Sequence, residues 1–302
     1  MNFKKENIPY YFVKILLTPL GIKEVARYWK EKIGYKRVLN HIMWANADYN
    51  IYNEPQNHNV PVDPIWIYWK QGFDNAPEIV KRCVESINKF KGNHDIVYLT
   101  MANIKEYVKL PDYIETKHDK GIISEAHYSD MVRLQLLIMY GGIWMDATCY
   151  NTDRLPKKVD EAPFFMFSSA NWWPSIYNPS KCSNWYIKSH SSNGLLIKVR
   201  NFLFEHWSKR NKPLHYYVFH YALSALVDTD ADCRRIWNAV PFISNIQPHA
   251  LRYSWSDPYD EKKYKDILSQ CFIHKCTYKF DKTLMAAKPI NNLQYLLKEL
   301  QD

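Results

Sequence analysis

The residues with the most chemical potential lie in one stretch. From Ser129 to Thr148 the chain reads SDMVRLQLLIMYGGIWMDAT, whose first twelve residues are apolar almost all round, apart from Asp130 and Arg133. A surface helix is not apolar all round, so this one should be buried on most sides, and charges on a buried helix need partners. Asp130 and Arg133 are three apart and share a helical face. Two readings stand at this point. One is an internal ion pair, a common arrangement that is often near neutral in stability. The other is a pair facing a polar cleft, where it meets a hydroxylated, charged ligand, and the nearness of Asp146 favours it. Asp146-Ala147-Thr148 offers a carboxylate and a hydroxyl at alternate positions, oxygen ligands able to seat Mg²⁺ or Mn²⁺ weakly. A strand-terminal Asp is also a common turn or cap residue.

The elements that must position these residues are readable nearby. Ile65-Trp66-Ile67-Tyr68-Trp69 is β-branched and aromatic and predicts a strand. After Pro77, Ile79, Val80, Cys83, Val84, Ile87 and Phe90 share one face of a predicted helix. Residues 95–100 predict a second strand, 103–108 a short helix, 125–140 a long helix ended by Gly141-Gly142, and 143–146 a third strand. Strands alternating with helices imply βαβ units, right-handed crossovers and a parallel sheet. Ligands in such sheets bind at the carboxyl ends of the strands, where Asp146 falls. The second half is helix-rich, with helices expected over 195–207 and 216–226.

Composition bounds the class. The 302 residues are 47% hydrophobic and 24% charged, which excludes disordered, collagen-like and coiled-coil chains. Lys plus Arg number 40 against 31 Asp plus Glu, a net charge of +9. Residues 1–40 hold nine of the basic residues and three Glu, so most of the excess is local. That asymmetry argues against a nucleic-acid groove and for a basic surface at the N-terminus. Residues 10–38 read as one or two basic amphipathic helices, broken near Pro19 and Gly21, either lying on an anionic membrane surface or capping the main domain. Polar, proline-bearing residues 45–64 read as a linker, so the expected units are 1–62, a basic helical extension and linker, and 63–302, the main domain. The stretch 10–22 is too short and interrupted for a signal peptide or a membrane span. Six scattered cysteines with no CxxC pair fit a reduced cytoplasmic setting.

The 129–148 run resembles the helix, Gly-Gly turn and sugar-nucleotide strand of GT-A glycosyltransferases, most of all family 32 and its capsular polysaccharide synthesis branch. The resemblance extends over about 64–280 through PIWIYWKQGFDNAPEIV, SEAHYSDMVRL, GGIWMDATCY, SNWYIKS, YYVFHYAL, PHAL and IHKCTYKF. It implies an α/β GT-A fold, a mostly parallel Rossmann-like sheet flanked by helices, behind the N-terminal helical extension. It also implies retaining transfer from a nucleotide-sugar donor, expected to be a UDP-hexose such as UDP-galactose or UDP-glucose, usually with Mn²⁺ or Mg²⁺. Asp130 and Arg133 match the pair holding the donor sugar and diphosphate, and Trp144 an aromatic beside the nucleotide. Asp146 matches the first aspartate of the Asp-x-Asp motif, while Trp69 and Gln71 match the turn that receives the base. Thr148 stands where the motif's second, metal-binding aspartate would be, so metal dependence is in question. His274 as a metal ligand and Lys275 as a counter-charge to the diphosphate are the expected compensations.

Departure of a nucleoside diphosphate builds negative charge that the site must offset with Lys, Arg, a metal or backbone N–H groups, and Arg133 and Lys275 are the candidates. Sugars also stack on flat rings, and Asn171-Trp172-Trp173-Pro174 and Asn184-Trp185-Tyr186 supply rings beside amides, making Trp173, Asn184 and Trp185 acceptor candidates. Ordinary aromatic core is the competing reading. His220 and Tyr221 read as core. The leading expectation is a transferase at the cytoplasmic face of the plasma membrane, extending a lipid-linked saccharide in capsule or surface-polysaccharide synthesis. A catalytically silent sugar-nucleotide or glycan-binding module is the alternative, motivated by Thr148.

Overall fold

Strand β1 (Ile65–Tyr68) is buried along its whole length, and its side chains divide between two apolar layers. Trp66 and Tyr68 enter one core with Trp144, while Ile65 and Ile67 enter the other with Ile143 and Met145. This is the period-two alternation of a strand covered on both faces. The computed structural model describes residues 23–42, 48–169 and 178–298. Within them, α1 (Lys23–Ile42) precedes β1, and α2 (Glu78–Phe90), β2 (Ile96–Leu99), α3 (Asp112–Asp119), α4 (Glu125–Tyr140), β3 (Gly142–Asp146) and β4 (Cys149–Asn151) follow. Next come α5 (Lys157–Asp160), β5 (Phe164–Ser168), β6 (Cys182–Ser189), α6 (Gly194–Lys209) and α7 (Val218–Thr229). The described chain closes with α8 (Ala231–Asn238), α9 (Gln247–Tyr253), α10 (Glu261–Ser269), β7 (Ile273–Lys275) and α11 (Asn292–Lys298).

The central sheet has the order β2-β1-β3-β6-β5. Its β1 pairs in parallel with β2 and β3, whereas β6 runs antiparallel to both β3 and β5. Four strands therefore share a direction, in line with the expected mostly parallel α/β sheet, and β6 opposes them. Apolar side chains of α4, α6 and α7 fill one layer, and those of α2, α9, α10 and α11 the other. Register sets Tyr68 beside both Leu99 and Asp146, so the carboxyl ends of β1, β2 and β3 finish level.

The Gly-Gly turn between α4 and β3 has a steric cause. Gly141 and Gly142 have φ of 71° and 91°, and a Cβ on Gly142 would lie 2.3 Å from the Pro64 carbonyl oxygen. Glycine alone lets β3 start against β1 there.

The predicted helix over 125–140 matches α4, while that over 103–108 is a single 3₁₀ turn, Ile104–Glu106. Residues 48–64 are not a loose tether: Arg200 donates to the Asn53 side chain at 2.7 Å, and Tyr49 and Tyr52 set their rings edge-on against Phe204. Helix α1 packs on α7, burying Val38 and bringing Gly34 against His215 and Tyr221. The Tyr221 hydroxyl donates to Glu31, and that of Tyr35 to Asp228. For residues 23–42 this is the capping arrangement; residues 1–22, with the break expected near Pro19 and Gly21, lie outside the described residues. Among the described residues no helix is long and apolar enough to cross a membrane.

Candidate active site

Asp146, at the end of β3, meets two cations. Lys275 Nζ lies 3.0 Å from its Oδ2 and Arg133 Nη1 3.5 Å from its Oδ1, to which the Trp144 indole also donates at 3.0 Å. Arg133 is the hub of the site. Its Nη2 lies 3.5 Å from Asp130 Oδ1 and donates to the Ser129 hydroxyl at 2.8 Å, while Nη1 donates to the Asn184 carbonyl. The guanidinium stands 4.8 Å from the Trp144 ring centre, within cation–π range. Asn184 completes the set by donating to Asp130 Oδ1 at 2.7 Å.

Each member is placed by regular structure. Asp130 and Arg133 lie one helical turn apart on α4, Asp146 ends β3 and Asn184 belongs to the neighbouring β6. Lys275 arrives through the β4–β7 pair, in which it faces Cys149. Its ammonium also donates to the Thr148 hydroxyl. Burial pushes the Asp130 carboxyl up to about 6, against the pull of Arg133. Burial acts in the same sense on Asp146, but Lys275 and then Arg133 outweigh it and hold that carboxyl below its usual range. Lys275 is desolvated as well, yet Asp146 keeps its ammonium above the usual lysine value.

Several expected residues lie elsewhere. His274 alternates with Lys275 on β7 and faces away: it is fully buried, and its Nε2 lies 3.1 Å from the Leu268 carbonyl. Burial lowers its imidazole to about 4. A metal-ligand role at Asp146 is therefore corrected to a core position. Trp185 is corrected likewise, being 6% exposed and stacked on Phe167 at 4.6 Å, with no face free for a sugar. Asn184 is brought to the site, where its amide donates to Asp130 and its carbonyl accepts from Arg133. Trp173 lies outside the described residues. Trp69 is half-buried beyond the end of β1, edge-on to Tyr278 at 5.1 Å, and Gln71 is exposed beside it.

A divalent ion at Asp146 would need several oxygen ligands. Both oxygens of Asp146 already face cationic or N–H donors, Thr148 accepts from Lys275, and His274 is turned away. This donor set does not fit Mn²⁺ or Mg²⁺.

Three features were not legible in the sequence. A polar cavity of about 410 Å³ opens between α1, β6 and α7, lined in part by Glu31, Ser183, Tyr217, His220, Asn245 and Arg252. Its His220, read from sequence as core, lies within electrostatic reach of Arg133 and Asp146, and burial lowers its imidazole to about 3, leaving it neutral. At the end of β1, Glu125 accepts from Tyr68 and Lys70, both at 2.8 Å, and lies 3.0 Å from His118.

Residues 23–292 match the family described as "Capsular polysaccharide synthesis protein", and the chain belongs to that family. It is 32% identical over 92 residues to the "O-glycosyltransferase braB" of Annulohypoxylon truncatum, covering 28% of this chain and 22% of that protein. It is 31% identical over 112 residues to the "O-glycosyltransferase PaGT" of Phomopsis amygdali, covering 33% of this chain and 28% of that one. The chain thus spans about a quarter of the length of these curated relatives. A solved "PaToxG Glycosyltransferase" aligns with 71% of this chain and 82% of its own, at 14% identity and a TM-score of 0.41.

Proposed function

We propose that this chain is a glycosyltransferase that moves a hexose from a nucleoside diphosphate donor, expected to be UDP-galactose or UDP-glucose, onto a saccharide hydroxyl with retention. The observation that carries the reading is the largely buried Asp130–Arg133–Asp146–Lys275 cluster at the level carboxyl ends of the strands, with His220 of the polar cavity in electrostatic reach of Arg133 and Asp146. Strand ends of this kind are where α/β sheets take their ligands. The relatives named as O-glycosyltransferases support an oxygen acceptor.

In this reading the donor diphosphate lies against Arg133 and Lys275, and Asp130 accepts hydrogen bonds from the donor sugar. The base lies against Trp69, beside Gln71. The bond from the anomeric carbon to the diphosphate oxygen breaks, and its electron pair stays with that oxygen. The acceptor oxygen attacks the same face, forming the new C–O bond, and its proton passes to the departing diphosphate. The two cations offset the charge that builds on the leaving group, an effect largest in a site closed to water. The acceptor occupies the cavity, with neutral His220 and Glu31 as polar contacts. The exposed Arg27, Lys30, Lys32 and Lys36 of α1 would draw an anionic, lipid-linked acceptor at a membrane surface. Synthesis of a capsular or other surface polysaccharide accords with the family description.

The test is nucleotide release from a panel of UDP-, GDP-, CMP- and TDP-sugars by the wild type and Asp146→Asn, followed by NMR of the anomeric centre of any product. Release from one UDP-sugar that the substitution abolishes is the expected result. Thermal stabilisation by a donor without turnover, with hexosides supplied as acceptors, would instead make the chain a binding module.

A further inference from the structure

The surroundings of Asp146 already contain a cation. We propose that the Lys275 ammonium occupies the position a divalent ion would take, so that this chain transfers its sugar without metal. The inference rests on the function proposed above and concerns the same site.

Four observations carry it. Lys275 Nζ lies 3.0 Å from Asp146 Oδ2 and donates to Thr148 Oγ1, so it bridges the two alternate positions that would together grip an ion. The other oxygen of Asp146 faces Trp144 at 3.0 Å and Arg133 at 3.5 Å. Among the described residues no second acid joins Asp146 in a group that could hold an ion, and Asp130 Oδ1 is taken by Asn184 at 2.7 Å and Arg133 at 3.5 Å. Finally, the lysine is held by strand pairing and not by a loop, since Lys275 faces Cys149 across β4–β7 and the next backbone N–H, of Cys276, donates to the Thr148 carbonyl at 2.8 Å.

Charge and valence agree. Two carboxylates face one guanidinium and one ammonium, so the cluster is already balanced, and a further doubly charged ion a few ångströms from Lys275 would be repelled by it. An ammonium has three N–H donors. Two are used on Asp146 and Thr148, which leaves one for an oxygen of the leaving diphosphate. A lysine serves phosphate as a compact point charge, the part an ion would otherwise play. Thr148 then has a reason: an aspartate there would make a second salt link to Lys275, whereas a hydroxyl steers the ammonium and adds no charge.

The experiment uses the full chain and two readouts. In the first, donor turnover is measured after EDTA treatment and again with Mn²⁺. The expected rates agree within about twofold, while Lys275→Met, which keeps most of the aliphatic stem, lowers turnover by about a hundredfold or more. Abolition by EDTA with rescue by Mn²⁺ would overturn the proposal. In the second readout, Mn²⁺ is titrated calorimetrically into the protein with UDP present, and no activity is needed. Wild type should bind no ion that Asp146→Asn abolishes, and Thr148→Asp with Lys275→Ala should gain such binding. An Asp146-dependent Mn²⁺ site in wild type would overturn the idea, as would a folded double variant that stays blind to Mn²⁺. Should no donor turn over under any condition, the proposed function fails while the titration still decides whether Lys275 stands in for an ion.

Discussion

The central strands carry an acidic cluster at each end, and the two are built differently. At the carboxyl ends, Asp130 and Asp146 have side chains 11% and 27% exposed and face Arg133 and Lys275. At the amino ends, Asp63, His94 and Asp160 gather their ligand atoms within 4.8 Å of one another, with the Asp63 and Asp160 side chains 38% and 46% exposed. Lys188 reaches Asp63 there at 3.7 Å. Charge is costly to bury, so a buried cluster persists only if its members are mutually satisfied or serve a ligand. The acids of the amino-end group are more than a third exposed, so water reaches them. The same residue types thus carry different weight at the two ends, and burial is the cause.

The sharpest way to break this contrast is Asp146→Asn. It removes the charge that holds Lys275 and Arg133 in place, and turnover should fall by about a thousandfold or more, on the scale of a lost electrostatic contact in a catalytic site. Donor turnover of the folded variant checks it, and a fall of less than tenfold would return Asp146 to the role of a turn residue. Arg133→Ala comes next. It strands Asp130 and weakens Asp146, so stability should drop by about 3 to 5 kcal/mol, as for a broken buried pair. Denaturant unfolding measures this, and an unchanged midpoint with an unchanged transfer rate would contradict both roles.

The Asp130 carboxyl gives the comparison a pH signature. Unfolded, it holds its proton only below about 3.8; folded, it holds it up to about 6. Between those values the folded state binds more protons, so this group's contribution to stability falls as pH rises through the window. The full effect is on the order of 3 kcal/mol. Buried histidines such as His220 and His274 act in the opposite sense, favouring the fold as pH rises, so wild type alone would mix the two. The difference between Asp130→Asn and wild type separates them. The variant should match wild type near about pH 4 and gain on it towards about pH 7. A difference that stays flat across this range would show that Asp130 is not strained by burial.

How much of this was legible in the sequence depended on the range of the signal. The α4–Gly-Gly–β3 segment could be read because an unbroken apolar helix, a glycine pair and a short strand are local patterns, and Asp130, Arg133 and Asp146 came with it. Lys275 and His274 could be named but not separated, since neighbours on a strand face opposite ways and β4 and β7 are three residues each. Trp185 resembled a sugar platform in a run of rings and amides, but β6 carries it onto Phe167 in the core. Glu31 and His220 meet in one cavity only because α1 folds across the chain onto α7. No pattern confined to neighbouring residues contains that contact. Asn184 was singled out for its amide, and only strand order reveals that the amide serves Asp130.

The smallest expected effect lies at the other end of the strands and tests the comparison from its weaker side. His94 Nε2 lies 3.0 Å from Asp160 Oδ1, and its Nδ1 2.8 Å from the Asp63 carbonyl, which binds the turn before β1 to the end of α5. The acids are more than a third exposed, so water screens them and competes for their bonds. Asp160→Asn should cost less than about 1 kcal/mol and leave donor turnover within about twofold of wild type. The amide retains an oxygen for His94, which further limits the loss. If unfolding and turnover instead changed as much as in Arg133→Ala, exposure would not be what separates the ends, and the amino-end group would have to be treated as a second functional centre. A small loss that shrinks further in high salt is the result expected of a solvated pair.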